Sequence, residues 1–444
     1  MKKTVCDAFN NQAFTSYVIN IAFFIAYFLI LTYGYTYRFR DDIIFLNMTT
    51  NQSSIMAYIF DRYATWSSRI LIEAIVAVFS MLPLSLFRLF FSFLMSQLCW
   101  YYCRIQSSPS LVHTLIIHVL FLLFPLFYLS DTGFISTGLF YVLPFWGLLI
   151  GLVPLTNQLK NRSIKIFDWV LYFVGSTIAS NFEMTAVLLF SLSLLLNIYL
   201  LFLRKKPFIY AFIISFTGII FSITCPGNKI RTAIEIENNL PEYTTWSFSD
   251  KIINGIFHGL LTAFANSEVK FFILALLLVA MAKNINNIKK IMITLISFFF
   301  VLLSSFLDQI FPDIFTQDFH SLYEGTVSDN IYLCLLLLAF FSCITTLYIA
   351  FDIIKDSIIY SLIYLAGACS CFIIGFSPTI IASGYRVFNF MIFGIIFCIA
   401  GIIKSTVIIN NKQIIPFIPI GLIVMRMAIL NIQYIENLRL GSMR

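Results

Sequence analysis

The chain has 444 residues and a formal net charge of +7 at pH 7; 60% of its residues are hydrophobic and only 11% are charged. Soluble domains carry about 25% charged residues, and no polar stretch here is long enough to build a sizeable water-soluble domain. In a membrane protein, Lys and Arg mainly report which loops face the cytoplasm. We therefore expect an all-α polytopic membrane protein that is surrounded by membrane lipid and has no nucleic-acid partner.

Apolar runs of about 18 to 20 residues, each long enough to cross a bilayer, recur from one end of the chain to the other. They predict about 13 transmembrane helices, with 11–13 as the expected range, and no internal repeat. The predicted spans are 17–37, 84–103, 111–130, 139–155, 167–181, 185–203, 208–224, 267–282, 291–307, 330–350, 357–376, 387–403 and 414–430. Residues 1–430 then form a single transmembrane domain, and residues 431–444 form a short C-terminal tail.

Clusters of basic residues give the predicted orientation, because cytoplasmic loops of membrane proteins are enriched in Lys and Arg. After the initial "MKK", such clusters lie at Lys160–Lys165, Arg204–Lys206, Lys283–Lys290 and Lys404–Lys412. Placing them inside puts the N-terminus in the cytoplasm. The loops that then face outwards are 38–83, 225–266 and 308–329.

The acidic residues are distributed unevenly across this topology. Of the 21 Asp and Glu, those on the predicted inner side are Asp7, Asp168, Asp352 and Asp356, and the others face out. Acids contribute little to topology signals, so the skew indicates another cause. A catalytic or binding face on the outer side is one such cause.

Two outer segments predict helices that lie in the membrane interface. The first is 51–82, where "SSIMAYIFDRYATW" is amphipathic and "ILIEAIVAVFSML" is apolar but too short for a comfortable span. The second is "WSFSDKIINGIFHGLLTAF", Trp246–Phe264. Amphipathic helices of this kind bury one face at the boundary between headgroups and acyl chains.

Ionisable side chains at membrane depth are costly and are usually functional. Those at the predicted outer helix ends, with one amide, are Asp41, Asp42, Arg69, Glu73, Glu183, Asn228, Arg231 and Arg386. Each also has a structural interpretation. The aspartates could be solvated caps, Arg69 and Glu73 an i,i+4 pair, Asn228 a turn residue and Arg386 a snorkelling residue. The histidines and cysteines show no metal-binding spacing.

Taken together, the group combines an acid pair with several arginines at one membrane face. A carboxylate can take a proton from a hydroxyl nucleophile. Arginines can bind a phosphate and stabilise the charge that develops as it leaves. The combination favours displacement of a lipid-linked phosphate by an alcohol.

An Asp-Asp pair directly after the first transmembrane helix, in an outer loop with interfacial helices, resembles the GT-C class of membrane glycosyltransferases. More closely, the chain is similar to the bacterial serotype-converting O-antigen glucosyltransferases. The similar stretches, in chain order, are "RDDIIF", "SSRILIEA", "STGLFYVLPFWGLL", "NFEMT", "CPGNKIR" and "SPTIIASGYRVFNF". The family motif usually has Asn before its Tyr, where this chain has Phe140.

The resemblance implies a role for each matched residue. Asp41 or Asp42 is expected to be the general base, and the other carboxylate to position it or to hold a divalent cation. Arg69, Arg386 and Arg231 are expected to contact the donor phosphate. The residues expected to bind the sugar or the acceptor are Glu73, Tyr141, Glu183 and Asn228.

The resemblance also implies an activity, that of an inverting hexosyltransferase without a certain cofactor. The expected donor is undecaprenyl phosphate carrying a sugar, which the resemblance implies to be glucose, and the expected acceptor is a lipid-linked O-antigen of lipopolysaccharide or another surface polysaccharide. The expected location is the bacterial inner membrane, with the active site facing the periplasm. Two alternatives stay open: a polysaccharide polymerase or ligase, and a transporter or flippase for lipid-linked sugars.

Overall fold

In the computed structural model, the described residues are 2–106, 111–266, 268–310, 322–409 and 417–440. The structure is 84% helical, and the described residues form no strand. Helices are expected in hydrocarbon because every backbone N–H and C=O must be paired within the protein. The predicted all-α architecture of a polytopic membrane protein is therefore confirmed at this level.

The helices are numbered here in chain order. In the first half they are α1 (Lys2–Gly34), α2 (Asp41–Thr50), α3 (Ile55–Thr65), α4 (Ile70–Met81), α5 (Leu84–Gln106), α6 (Leu111–Leu122), α7 (Phe134–Leu159), α8 (Ile166–Ser180), α9 (Glu183–Phe202) and α10 (Tyr210–Thr224). In the second half they are α11 (Pro226–Asn239), α12 (Phe248–Leu261), α13 (Val269–Lys283), α14 (Ile288–Ile310), α15 (Val327–Ala350), α16 (Ile354–Phe372), α17 (Asn389–Ile409) and α18 (Phe417–Arg439).

Fewer helices qualify as membrane spans than the 11–13 predicted. Among the described residues, eight are long and apolar enough, or up to ten if two bent helix pairs each count as one span. The bent pairs are α10 with α11, at 55°, and Phe248–Ala265 with α13, at 69°. The apolar runs predicted the helices but not their breaks, and the run at 111–130 contains a helix of only 12 residues.

Some predicted boundaries lie partly outside the described residues. The loop 308–329, the span 414–430 and the tail 431–444 include residues 311–321, 414–416 and 441–444, which the structure does not describe. The described part of the tail, up to Arg439, is helical and continues α18.

The chain divides into two units. The first consists of Met1–Leu122, Leu126–Ile234 and Asn431–Arg444. Its most enclosed candidate span is α7, where 83% of the most apolar 18-residue stretch is buried. The close packing of α7 against α8 depends on small residues, since a Cβ on Gly147 would come within 2.5 Å of the Gly175 carbonyl oxygen. Small residues at such positions let membrane helices approach closely.

The second unit consists of Leu123–Pro125 and Glu235–Leu430. Its most enclosed span, Gly384–Thr406, includes most of α17 and is 94% buried over its most apolar window. Two ion pairs of this unit involve the basic cluster Lys283–Lys290, which the sequence predicts to face the cytoplasm. There Asp352 contacts Lys290 at 3.2 Å and Lys283 at 3.6 Å.

The short helices predicted in the outer loops are confirmed as helices, and side chains cap their N-termini. Ser54 accepts a hydrogen bond from the Ala57 amide at the start of α3. Ser247 and Asp250 form a reciprocal capping box at the start of α12. Such caps pair amides that a helix leaves without intrahelical partners. Their position at the membrane interface stays a prediction.

Candidate functional site

The two adjacent aspartates have different surroundings, although the sequence treats them alike. Asp42 is fully buried. Its carboxylate accepts hydrogen bonds from the Tyr35 hydroxyl at 2.6 Å and from the amides of Phe134 and Ser136, both at 2.9 Å, and of Ile135 at 3.2 Å. Asp42 therefore caps the N-terminus of α7 from a distant part of the chain.

This arrangement bears on the prediction that either aspartate could be the base, and it favours Asp41, although the role of each aspartate stays a prediction. All four partners of Asp42 are donors, so its carboxylate oxygens are occupied and enclosed. Burial raises the pKa of Asp42, and the hydrogen bonds from Tyr35, Ser136 and Ile135 oppose that rise. The role of Asp42 in the fold is structural, because it joins the end of α1 to the start of α7.

Gly133 allows Asp42 to approach α7 this closely. Its φ is +156°, a backbone conformation that L side chains rarely adopt. A Cβ at this position would lie 2.6 Å from the Asp42 carboxylate. Only glycine therefore leaves room for the cap.

Asp41 is the aspartate whose carboxylate is available. It is half-buried, and no side-chain hydrogen bond or ion pair to another described residue involves its carboxylate. Its position is fixed through the main chain, since its amide donates to the Thr132 carbonyl at 2.7 Å. An unpaired carboxylate can accept a hydrogen bond from a hydroxyl, which a general base must do.

Glu73 is engaged with an arginine that the sequence analysis did not single out. Arg62 Nε lies 2.5 Å from Glu73 Oε2 and its Nη2 lies 3.2 Å from Oε1, and both side chains are buried. Tyr58 adds a longer contact, at 3.5 Å. This geometry replaces the suggested Arg69–Glu73 pair. The predicted contact of Glu73 with a sugar or acceptor stays a prediction.

Arg69 instead pairs with Glu183, the first residue of α9. Nε and Oε2 are 2.7 Å apart, and the two side chains are 23% and 29% exposed, so the pair borders an accessible space. Burial by itself lowers the pKa of Arg69, but the neighbouring carboxylate of Glu183 outweighs it and holds that pKa above its usual value. Arg69 is thus a permanent cation.

Two polar residues lie beside this ion pair. Ser68 Oγ donates to Glu183 Oε1 at 3.1 Å. Asn228, at the start of α11, accepts from the Ser68 amide at 3.3 Å and donates to the Ser222 carbonyl at 2.9 Å. The turn-shaping interpretation of Asn228 is therefore incomplete, because its amide also ties α10 and α11 to the loop that carries Arg69.

Arg231 and Tyr141 belong to the same neighbourhood. Arg231 is half-buried on α11 and interacts electrostatically with Glu183. Tyr141 is close enough to Arg69 to interact electrostatically with it. The Arg69 guanidinium lies over the ring of Phe182, 4.6 Å from its centroid, and 5.8 Å from that of Phe140. The structure thus brings Arg69, Tyr141, Glu183, Asn228 and Arg231 together.

Helix α7 connects the aspartates to this cluster. Asp41 and Phe45 are one turn apart on α2, and the Phe45 ring lies 5.9 Å from that of Phe140. Phe140 in turn contacts Arg69. Residues four apart on a helix share a face, so Asp41 lies on the same side of α2 as Phe45.

Arg386 lies in the second unit, in the helical turn Gly384–Phe388 that precedes α17. Its side chain is half-buried, and its carbonyl accepts a hydrogen bond from Asn389 at 2.9 Å. Its predicted contact with the donor phosphate stays a prediction.

The described residues do not fit a bound metal ion. In this part of the chain, no three or more His, Cys, Asp or Glu side chains lie close enough together to hold one. We therefore derive no chemical step through a divalent cation.

Sequence reasoning missed the partners of the predicted residues. Arg62 and Asn181 lay within the quoted stretches "SSIMAYIFDRYATW" and "NFEMT", but nothing in their spacing pointed to Glu73 or to the start of α4. These contacts join positions up to 110 residues apart, and only the tertiary structure can reveal them.

Comparison of the chain with protein-family models, with curated proteins and with solved structures finds no match.

Proposed function

We propose that this protein is an inverting glycosyltransferase that transfers a sugar from a polyprenyl phosphate to a hydroxyl of a surface-glycan acceptor. The observation that carries the proposal is the half-buried Arg69–Glu183 pair, which Arg231, Asn228 and Tyr141 surround. The unpaired Asp41 carboxylate lies on α2, whose Phe45 contacts Phe140 beside Arg69. The proposal assigns the base to Asp41 and the cations to Arg69 and Arg231, the two kinds of group that phosphate displacement requires.

Asp41 is the proposed base. Its carboxylate takes the proton of the acceptor hydroxyl, and the oxygen forms a bond to C1 of the sugar from the face opposite the phosphate. The bond between C1 and the phosphate oxygen breaks at the same time, which inverts the anomeric centre. A base acts in this way only within hydrogen-bond reach of the hydroxyl.

Arg69 and Arg231 are the proposed contacts for the leaving phosphate. Breaking the C1–O bond leaves an additional negative charge on the polyprenyl phosphate. Guanidinium groups bind phosphate with paired N–H donors and stabilise such charge, more strongly where solvent is partly excluded. Arg69 is suited to this because Phe182 and Glu183 hold its guanidinium in one orientation.

Tyr141 and Glu183 are the proposed contacts for sugar hydroxyls. A carboxylate accepts several hydrogen bonds, and the Glu183 carboxylate is 29% exposed beside the guanidinium. The expected sugar is glucose, the expected donor is undecaprenyl phosphate, and the expected acceptor is a lipid-linked O-antigen. We place the reaction at the periplasmic face of a bacterial inner membrane, where a lipid-linked donor replaces nucleotide sugars.

The test is transfer of radiolabelled glucose from undecaprenyl-phosphate glucose to lipid-linked O-antigen, in membranes that contain the wild type, Asp41→Asn or Asp61→Asn. Asp61 is the matched control, because it is an exposed carboxylate of the same outer loop. We expect transfer by the wild type and by Asp61→Asn, and a loss of at least 100-fold in Asp41→Asn.

Two outcomes would contradict the proposal. If the wild type is present in the membrane but transfers no sugar from any polyprenyl-phosphate hexose, the activity is wrong. If Asp41→Asn transfers at the wild-type rate, the activity stands but Asp41 is not its base. Movement of the lipid-linked sugar across the membrane without transfer would favour the flippase alternative.

A further inference from the structure

The start of α4 is capped by a side chain from another helix connection. Asn181 lies between α8 and α9, and its Oδ1 accepts hydrogen bonds from the amides of Leu71 at 2.9 Å and Ile72 at 3.1 Å. Its Nδ2 contacts the Ser68 carbonyl oxygen at 3.4 Å. Asn181 therefore contacts the main chain on both sides of Arg69.

Helix α4 needs this external cap. The first amides of a helix have no intrahelical partner, and a local side-chain oxygen usually accepts from them. The residue at the N-cap position of α4 is Arg69, whose side chain makes no capping hydrogen bond. A guanidinium has only donors and cannot cap an N-terminus, so Asn181 supplies the acceptor.

Asn181 and Glu183 act on Arg69 from one short segment. Asn181 fixes the main chain around Arg69, and Glu183, two residues later, binds the guanidinium at 2.7 Å. The two contacts together define both the origin and the direction of the Arg69 side chain. Catalytic groups need this kind of support to stay in a productive geometry.

We propose that Asn181 is a positioning residue for Arg69. Asn181 holds Ser68 and the first turn of α4 so that the Arg69 guanidinium faces the phosphate of a polyprenyl-phosphate ligand. This inference rests on the proposed function for the nature of the ligand. The positioning itself rests only on the contacts of Asn181 and can be tested without substrate.

The first arm measures hydrogen exchange in peptides that cover 69–74, in the purified full-length protein. We expect Asn181→Ala to speed exchange at the Leu71 and Ile72 amides by about 5-fold to 10-fold, as for loss of a helix cap. Asn181→Asp loses the donor to the Ser68 carbonyl but keeps the acceptor oxygen for the Leu71 and Ile72 amides, so exchange at these two amides is expected to stay close to that of the wild type. Unchanged exchange in Asn181→Ala would overturn the positioning role, whatever the ligand is.

The second arm measures binding of undecaprenyl phosphate to the wild type, Asn181→Ala, Arg69→Ala and the double variant, in nanodiscs. If Asn181 acts through Arg69, Asn181→Ala weakens binding several-fold in the wild-type background and adds nothing in the Arg69→Ala background. Equal losses in the two backgrounds would overturn the proposal, because a general structural effect does not depend on Arg69.

The two arms separate this inference from the proposed function. A wild type that binds no undecaprenyl phosphate contradicts the proposed function and the ligand assigned to Arg69, while the exchange arm still decides whether Asn181 holds the loop. Binding by the wild type, together with unchanged exchange in Asn181→Ala, leaves the function standing and removes Asn181 from it.

Discussion

The guanidinium of Arg69 lies 2.7 Å from the carboxylate of Glu183, a residue 114 positions further along the chain. Arg69 does not pair with Glu73, which is only four positions away, because Arg62 binds that carboxylate. The two arginines therefore form two different ion pairs: Arg62–Glu73, which is buried, and Arg69–Glu183, which is partly exposed and belongs to the candidate site.

Replacing Arg69 by lysine is expected to lower transfer at least 10-fold, mainly through a higher KM for the polyprenyl-phosphate donor. Lysine keeps the charge but loses the planar fork that binds phosphate and stacks on Phe182. The measurement is the KM for donor and for acceptor, with Lys229→Ala as control because Lys229 is exposed on the neighbouring helix. Equal changes in both KM values would indicate a structural role instead.

Asp42→Asn is expected to lower the stability and the transfer activity, whereas Asp41→Asn lowers the activity alone. All four partners of Asp42 donate, so an amide would direct at least one N–H against another donor. A buried unsatisfied group of this kind costs about 1–3 kcal/mol. Thermal unfolding of the two variants in detergent checks this, and equal melting temperatures would contradict the assignment of Asp42 as an anchor.

Glu73→Leu is expected to destabilise the fold by about 3–5 kcal/mol, because it leaves Arg62 charged, buried and without its partner. The double variant Arg62→Met with Glu73→Leu is expected to recover most of that loss, since apolar residues of similar size often replace a buried pair without cost. Unfolding of both variants gives the comparison. A double variant no more stable than Glu73→Leu would contradict this explanation, because removing the unpaired charge of Arg62 would then restore no stability.

Gly227→Ala is expected to disturb the candidate site through the main chain. A Cβ there would lie 2.4 Å from the Trp66 amide nitrogen and 2.7 Å from the Tyr63 carbonyl oxygen, so the end of α3 must move. We expect lower stability and weaker donor binding. Gly421→Ala is the matched control, because a Cβ at Gly421 meets nothing within 4 Å. Two variants with the same melting temperature would contradict the close approach.

Asp352→Asn is expected to cost up to about 1 kcal/mol at neutral pH, because the Asp352 side chain is 56% exposed and solvent screens its two lysine contacts. Burial raises the pKa of Asp352, but Lys290 and Lys283 outweigh it and hold the pKa below its usual value. The contribution of Asp352 is therefore present above the ordinary Asp pKa of about 3.9 and is lost as the pH falls through the lower folded-state value.

Unfolding measured between pH 7 and pH 3 checks this dependence. The wild type is expected to be the more stable protein at pH 7, and the difference from Asp352→Asn is expected to shrink towards pH 3 and in high salt. A difference that grows as the pH falls would contradict the sign of the shift.

The sequence by itself determined the helical class and the membrane setting, because apolar runs of spanning length leave the chain no other way to pair its backbone. It also predicted the short helices in 51–82, and it singled out Arg69, Glu183, Asn228 and Arg231, which the structure brings together. Their apolar periodicity and their charges at outer helix ends are local properties, which can be read along the chain.

Only the tertiary structure decided which charges pair, which aspartate is enclosed and how many helices are long enough to span. Asp41 and Asp42 are chemically identical neighbours, and they differ only because α7 begins beside one of them. Arg69 has a carboxylate four residues away and another 114 residues away, and packing selected the distant one. Such choices depend on contacts between remote segments, for which local composition and periodicity carry no signal.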